Sequence, residues 1–130
     1  MKKMAKMSMC SAALLLVVLC YAQVISAEVY NVGDGTWRLG QDYTSWAAGK
    51  RFALGDTLVF TYIAPHTVAE VSASAASACD GSNPIFFSDN HSTFVRLTTP
   101  GDHFFISTAP GDCQHGMKLK LTVAAATTAP

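Results

Sequence analysis

Residues 104–120 read FFISTAPGDCQHGMKLK, a strand that runs into a tight loop and a loop that runs into another strand. From Met117 onward the chain alternates. Met117, Leu119, Leu121 and Val123 point one way and Lys118, Lys120 and Thr122 the other, the period-two signature of a half-buried strand. Ahead of it, Phe104, Phe105 and Ile106 form a short apolar run that ends in Ser107, Thr108, Ala109, Pro110 and Gly111, mostly turn formers. The loop is pinned between two strands, and the rest of the chain extends the same pattern.

Glu28 to Val32 reads as a short strand, turned by Gly33, Asp34 and Gly35. Leu58, Phe60 and Tyr62 alternate with Val59, Thr61 and Ile63, so few positions are polar and the pattern predicts a strand buried on both faces, ended by Pro65. A strand from Thr67 to Val71 follows, then SASAASA (72–78), a run of small residues read as a loop or one helical turn. Asp80 to Pro84 form a turn, Ile85 to Phe87 a short strand, and Thr93, Val95 and Leu97 another alternating strand closed by Thr99-Pro100-Gly101-Asp102. Trp46 and Phe52 are large enough to fill a small core, and Trp37 and Trp46 are assigned to packing over sugar stacking. About seven short strands with little helical periodicity predict an all-β, Greek-key β-sandwich with no internal repeat.

Lys2, Lys3 and Lys6 precede an apolar run from Ala12 to Leu19, and small residues follow at Ser26 and Ala27. This is the pattern of a secretory signal peptide over 1–27, because the apolar run is too short to cross roughly 30 Å of hydrocarbon. The remaining 103 residues fit one domain over 28–123 and a short tail over 124–130. They keep six basic and nine acidic side chains, a formal charge of −3. No basic run offers itself to nucleic acid or an anionic membrane, and the expected product is a secreted monomer with no membrane span. Of four cysteines, Cys10 and Cys20 leave with the leader. One disulfide between Cys79 and Cys113 is the economical reading in an oxidising compartment, and two buried free thiols are the alternative. Asn90-His91-Ser92 is an N-glycosylation sequon in a polar loop.

The ending Gly111-x-Cys113-Gln114-x-Gly116-Met117 resembles the last third of the phytocyanins, the plant cupredoxins. The segment QDYTSWAAGKRFALGDTLVFTY (41–62) resembles the most regular part of that family's pattern, with Tyr43, Trp46, Gly49, Phe52, Gly55, Asp56, Leu58, Phe60 and Tyr62 in place. The resemblance covers nearly all of Glu28 to Val123. It implies a cupredoxin sandwich, a bridge between Cys79 and Cys113, a plant cell-surface setting and, for copper-binding members, electron transfer. Many members end in a proline-rich spacer and a hydrophobic anchor signal, and the tail AAATTAP has neither, so the product is read as soluble.

Carried over residue by residue, the family's first copper histidine falls on His66, its thiolate on Ser107, its second histidine on Asp112 and its axial ligand on Met117. A blue copper centre needs two imidazoles and a thiolate with a long axial thioether. Ser107 offers an alcohol and Asp112 a hard oxygen donor, so the expected site is degenerate and holds no copper. Three residues separate Tyr62 from His66, one fewer than usual in the family, which changes its approach. His115 is the one further imidazole in the loop and reads as a solvent-facing turn residue, while His103 and His91 read as surface histidines. Ser107, His66 and Asp112 contain the residue types of a hydrolase triad, but no nucleophile-elbow motif accompanies them and no enzyme is expected. The sequence therefore points to an extracellular binding or structural module, with copper-dependent electron transfer as the alternative. It does not spell out the ligand.

Overall fold

The computed structural model describes residues 27–125. All of the predicted leader but Ala27, with Cys10 and Cys20, and the end of the tail lie outside them. The elements are β1 (Val29–Asn31), a 3-10 turn (Val32–Asp34), α1 (Tyr43–Ala48), β2 (Phe52–Ala53), β3 (Thr57–Thr61), β4 (Val68–Val71), α2 (Ala73–Ala78), β5 (Phe86–Ser88), β6 (Ser92–Arg96), β7 (Gly101–Ile106) and β8 (Lys118–Ala124). They build two sheets, β1-β3-β6 and β2-β8-β7-β4-β5. β1 runs parallel to β3 and β2 parallel to β8, while the other neighbours are antiparallel.

The alternation in β8 is the clearest match of sequence to structure. Met117, Leu119, Leu121 and Val123 are buried and Lys118, Lys120 and Thr122 exposed. The inner faces of both sheets meet in one core of Val32, Trp37, Tyr43, Leu58, Phe60, Tyr62, Val68, Phe105 and their neighbours. Trp37 is fully buried and packs against Tyr43 and Phe60, with ring centroids 4.6 and 5.2 Å away. Trp46 is 8% exposed, and its Nε1–H donates to Asp34 Oδ1 at 2.9 Å. Neither tryptophan presents a face for a sugar to stack on.

The all-β, two-sheet sandwich is as expected, with eight strands among the described residues for about seven predicted. Three details are revised. The short fifth strand is shifted one residue, to Phe86–Ser88. β3 is covered on its outer face only in part. Leu58, Phe60 and Tyr62 face the core and Val59 is buried, but Thr61 at the end of the strand and Ile63 just beyond it are exposed. Two six-residue helices are present where little helical periodicity is legible. Each is set by its cap. Asp42 accepts from Ser45 N–H at 3.2 Å and Ser72 accepts from Ala75 N–H at 3.2 Å, so an oxygen satisfies an otherwise orphaned helix donor. The Ser45 hydroxyl, which donates to Asp42 Oδ2 at 2.7 Å, and that backbone bond together hold the exposed Asp42 carboxyl below its ordinary pKa.

The helix over 73–78 is all alanine and serine and buries little by itself. What fixes it is the bridge. Cys79 ends the helix in the left-handed region (φ 51°) and is joined to Cys113, Cα to Cα 5.6 Å, over a second small core of Ala69, Val71, Ala76 and Ile106.

Candidate functional site

The loop between β7 and β8 is closed by its own backbone. Ser107 N–H donates to Met117 O at 3.1 Å, which extends the β7–β8 pairing one step beyond the strands. Met117 N–H donates back to Asp112 O at 3.0 Å, and Asp112 N–H to Ala109 O at 3.1 Å, so residues 109–117 wind into successive turns. Gly111 and Gly116 stand at φ 84° and 94°, the left-handed region where a side chain is disfavoured. The sequence folds this way because Pro110-Gly111 starts the turn and Gly116 releases the chain into β8.

A second segment is strapped across this loop. Thr67 N–H donates to Ser107 Oγ at 3.2 Å, Thr108 N–H donates to Thr67 Oγ1 at 2.8 Å, and the two threonine hydroxyls lie 2.7 Å apart. Trp37 Nε1–H donates to Thr67 O at 2.8 Å from the core side. His66 is thereby carried to the loop despite its shortened approach.

The four positions singled out in the sequence form one cluster. Asp112 is its hub. Its Oδ2 accepts from Ser107 Oγ–H at 2.7 Å and from His66 Nδ1 at 2.6 Å, and its side chain is only 8% exposed. A carboxylate oxygen accepts, so the Nδ1 of His66 is the donor in this contact. Met117 is fully buried beside them. The order of partners is alcohol, carboxylate, imidazole. A hydrolase triad requires the imidazole between the other two, so that it can take the alcohol's proton, and Ser107 donates to Asp112 instead.

The other histidines lie apart from this hub. His115 is exposed on the loop, its Nδ1 donating to Gly111 O at 2.6 Å. His91 is exposed in the β5–β6 connection beside exposed Asn90. His103 is not a free surface residue: it is partly buried, with Nδ1 2.6 Å from Glu70 Oε1 and Nε2 2.8 Å from Thr99 O. The sequence carried no signal for that pair, because Glu70 on β4 meets His103 only through the β4–β7 pairing. Among the described residues no three His, Cys, Asp or Glu side chains gather as a metal-binding group, and no helix is long and apolar enough to cross a membrane.

A family model of the plastocyanin-like domain matches residues 37–117, from the core tryptophan to the buried methionine of the loop. A blue copper protein of Pisum sativum is 42% identical over 113 residues, covering 85% of this chain and 60% of its own length. The chain thus spans about 60% of that relative. Among solved structures, cucumber basic protein, a blue copper protein, superposes with a TM-score of 0.67 at 34% identity, covering 74% of this chain and 99% of its own. The Cu2+ form of cucumber stellacyanin superposes with a TM-score of 0.68 at 31% identity, covering 79% of this chain and all of its own. The two-sheet topology, the bridge from α2 to the last loop and these relatives agree, and the chain belongs to the phytocyanin family of plastocyanin-like cupredoxins.

Proposed function

We propose that this phytocyanin has lost type 1 copper and serves as a secreted, extracellular or cell-surface binding or structural module. The observation that carries the reading is the Asp112 hub. At the place where copper-binding members gather a thiolate and two imidazoles, this chain holds Ser107 and His66 together through one carboxylate oxygen. The donor set does not fit the ion. An alcohol stays protonated at neutral pH, a carboxylate prefers hard cations, and the imidazole nitrogen facing the cluster is already a proton donor. What remains is one soft thioether, on Met117. Without a thiolate and a second imidazole there is no site to hold both Cu(I) and Cu(II), and electron transfer falls away with it.

The same hub argues against triad catalysis, since the Ser107 hydroxyl faces the Asp112 carboxylate and no imidazole. In this reading the polar cluster replaces the metal as the clasp that ties the His66 segment to the last loop. Three joined polar groups in a low-dielectric setting rigidify when all are satisfied. The signal peptide over 1–27, release of the domain from Glu28, and a glycan on Asn90 belong to the same proposal. The partner is an extracellular ligand or a cell-wall component. Protein secreted from copper-supplemented plant cells and purified without chelator is expected to contain far less than one copper per chain by elemental analysis. Stoichiometric copper would sink the reading and restore copper-dependent electron transfer, the alternative that the family resemblance implies.

A further inference from the structure

The outer face of the five-stranded sheet carries a cleft that the copper question leaves untouched. Successive same-face residues of β8, Lys118, Lys120 and Thr122, stand exposed along it. Phe104 of β7 lies directly across from Lys120 in register. Two depressions meet there. One, of about 170 Å³, runs between α1 and α2 over Phe104, Lys118 and Lys120, with Thr44 on one side and Ala76 and Ser77 on the other. The other, of about 260 Å³, continues along α1 past Thr44, Ala47 and Lys50 to Lys120 and Thr122. They share Thr44 and Lys120, so they form one continuous groove.

Its charge stands out against the domain. From Glu28 onward the chain has six basic and nine acidic side chains, and three of the six, Lys50, Lys118 and Lys120, line this groove. No basic run is legible in the sequence, because Lys50 is distant from the β8 lysines in the chain and reaches them only through the packing of α1 on that strand. Lys50 Nζ sits 4.7 Å from the centroid of the Trp46 ring, and Lys120 Nζ 5.9 Å from that of Phe104. Asp102 is the one carboxylate at this rim in contact with a lysine, at 3.9 Å from Lys120 Nζ, and it also accepts from Thr122 Oγ1 at 2.6 Å. At that distance, with both side chains about half exposed or more, it leaves most of the lysine charge available.

We infer that this groove binds an acidic, uronate-bearing polysaccharide chain. Positive charge in a negative domain selects an anionic partner and speeds its approach. Lys118 and Lys120, two residues apart on one face, root their side chains about 7 Å apart along the strand, which suits a polymer with spaced carboxylates. Lysine is a compact point charge, without the planar fork by which arginine grips phosphate. The walls carry only short side chains, and the alanine-serine helix α2 now has a consequence: Ala76 and Ser77 leave the groove open where longer residues would fill it. Hydroxyls of Thr44, Ser77 and Thr122 and the ring of Phe104 offer the mixed polar and apolar contacts that sugar rings use.

The inference rests on the extracellular binding role proposed above but not on the state of the copper loop, and the two fail separately. The purified, disulfide-bonded secreted protein would be run in affinity electrophoresis against polygalacturonate, its methyl ester, poly-glutamate and duplex DNA, with the visible spectrum in Cu(II) recorded on the same sample. Retardation by polygalacturonate alone is expected, weakening as salt is raised. Lys118→Gln with Lys120→Gln should weaken it by roughly tenfold or more, while Arg96→Gln on the other sheet leaves it unchanged. Both variants should unfold at the wild-type temperature, since all three side chains are exposed. Equal retardation by the neutral methyl ester, by poly-glutamate or by DNA would overturn the assignment, as would binding that survives the double substitution. A blue sample that still binds polygalacturonate would sink only the copper-free reading.

Discussion

Cys79→Ser is expected to lower the unfolding free energy by about 2–5 kcal/mol or to prevent secretion altogether. The bridge closes a separation of 34 residues, for which the chain-entropy model gives about 3.8 kcal/mol. A domain of this size has roughly 5–15 kcal/mol in all, so the loss is a large fraction of the total. The structure says where the damage would fall. Cys79 anchors α2, whose alanine and serine side chains bury little, and Cys113 follows Asp112, the hub of the candidate site. The serine cap on α2 is worth about 1 kcal/mol, too little to hold a six-residue helix in place once the bridge is gone. Urea unfolding of the variant beside the native protein gives the difference. Two free thiols in the intact mass of the native secreted protein would contradict the prediction.

The second large effect is a gain of colour. Ser107→Cys combined with Asp112→His should produce an intense blue band with Cu(II), because the pair supplies the thiolate and the second imidazole and at the same time removes the carboxylate that occupies the Nδ1 of His66. Neither single change should suffice. Ser107→Cys alone sets a thiol beside Asp112, whose negative charge disfavours the thiolate. Asp112→His alone provides no sulfur-to-copper charge transfer. The scaffold already ties Ser107 to Met117 through the backbone and His66 to the same cluster, so the four positions start close together. Metal sites tolerate errors of only about 0.5 Å, and the aim of His66 is therefore the critical variable. A double variant that binds copper without the blue band would show that the shortened His66 segment no longer points as a ligand must.

Much of the fold is legible because β8 and β3 write their inner faces at period two, and because the turn residues between strands are punctuated by glycine and proline. The helices are not legible for a physical reason. At six residues each spans under two turns, too short for a 3.6-residue period to register, and only the Asp42 and Ser72 caps signal them. The exposure just past β3 is also invisible, since an apolar residue reads the same whether or not a layer covers it; Ile63 is apolar yet 75% exposed. In the loop, the family resemblance is what carries Ser107 and Asp112 onto the ligand positions. That one carboxylate oxygen serves both Ser107 and His66 is not legible, because His66 comes from a distant segment held at the loop beside the Thr67 strap. The lysine groove and the Glu70–His103 pair are products of sheet register in the same sense.

The most direct measurement is the visible absorption spectrum of the native, disulfide-bonded protein titrated with Cu(II) near neutral pH. With an alcohol at position 107 and a carboxylate at 112 there is no thiolate to transfer charge to the metal, and the spectrum is expected to show no intense blue band. An intense blue band in the unmodified protein would contradict the account.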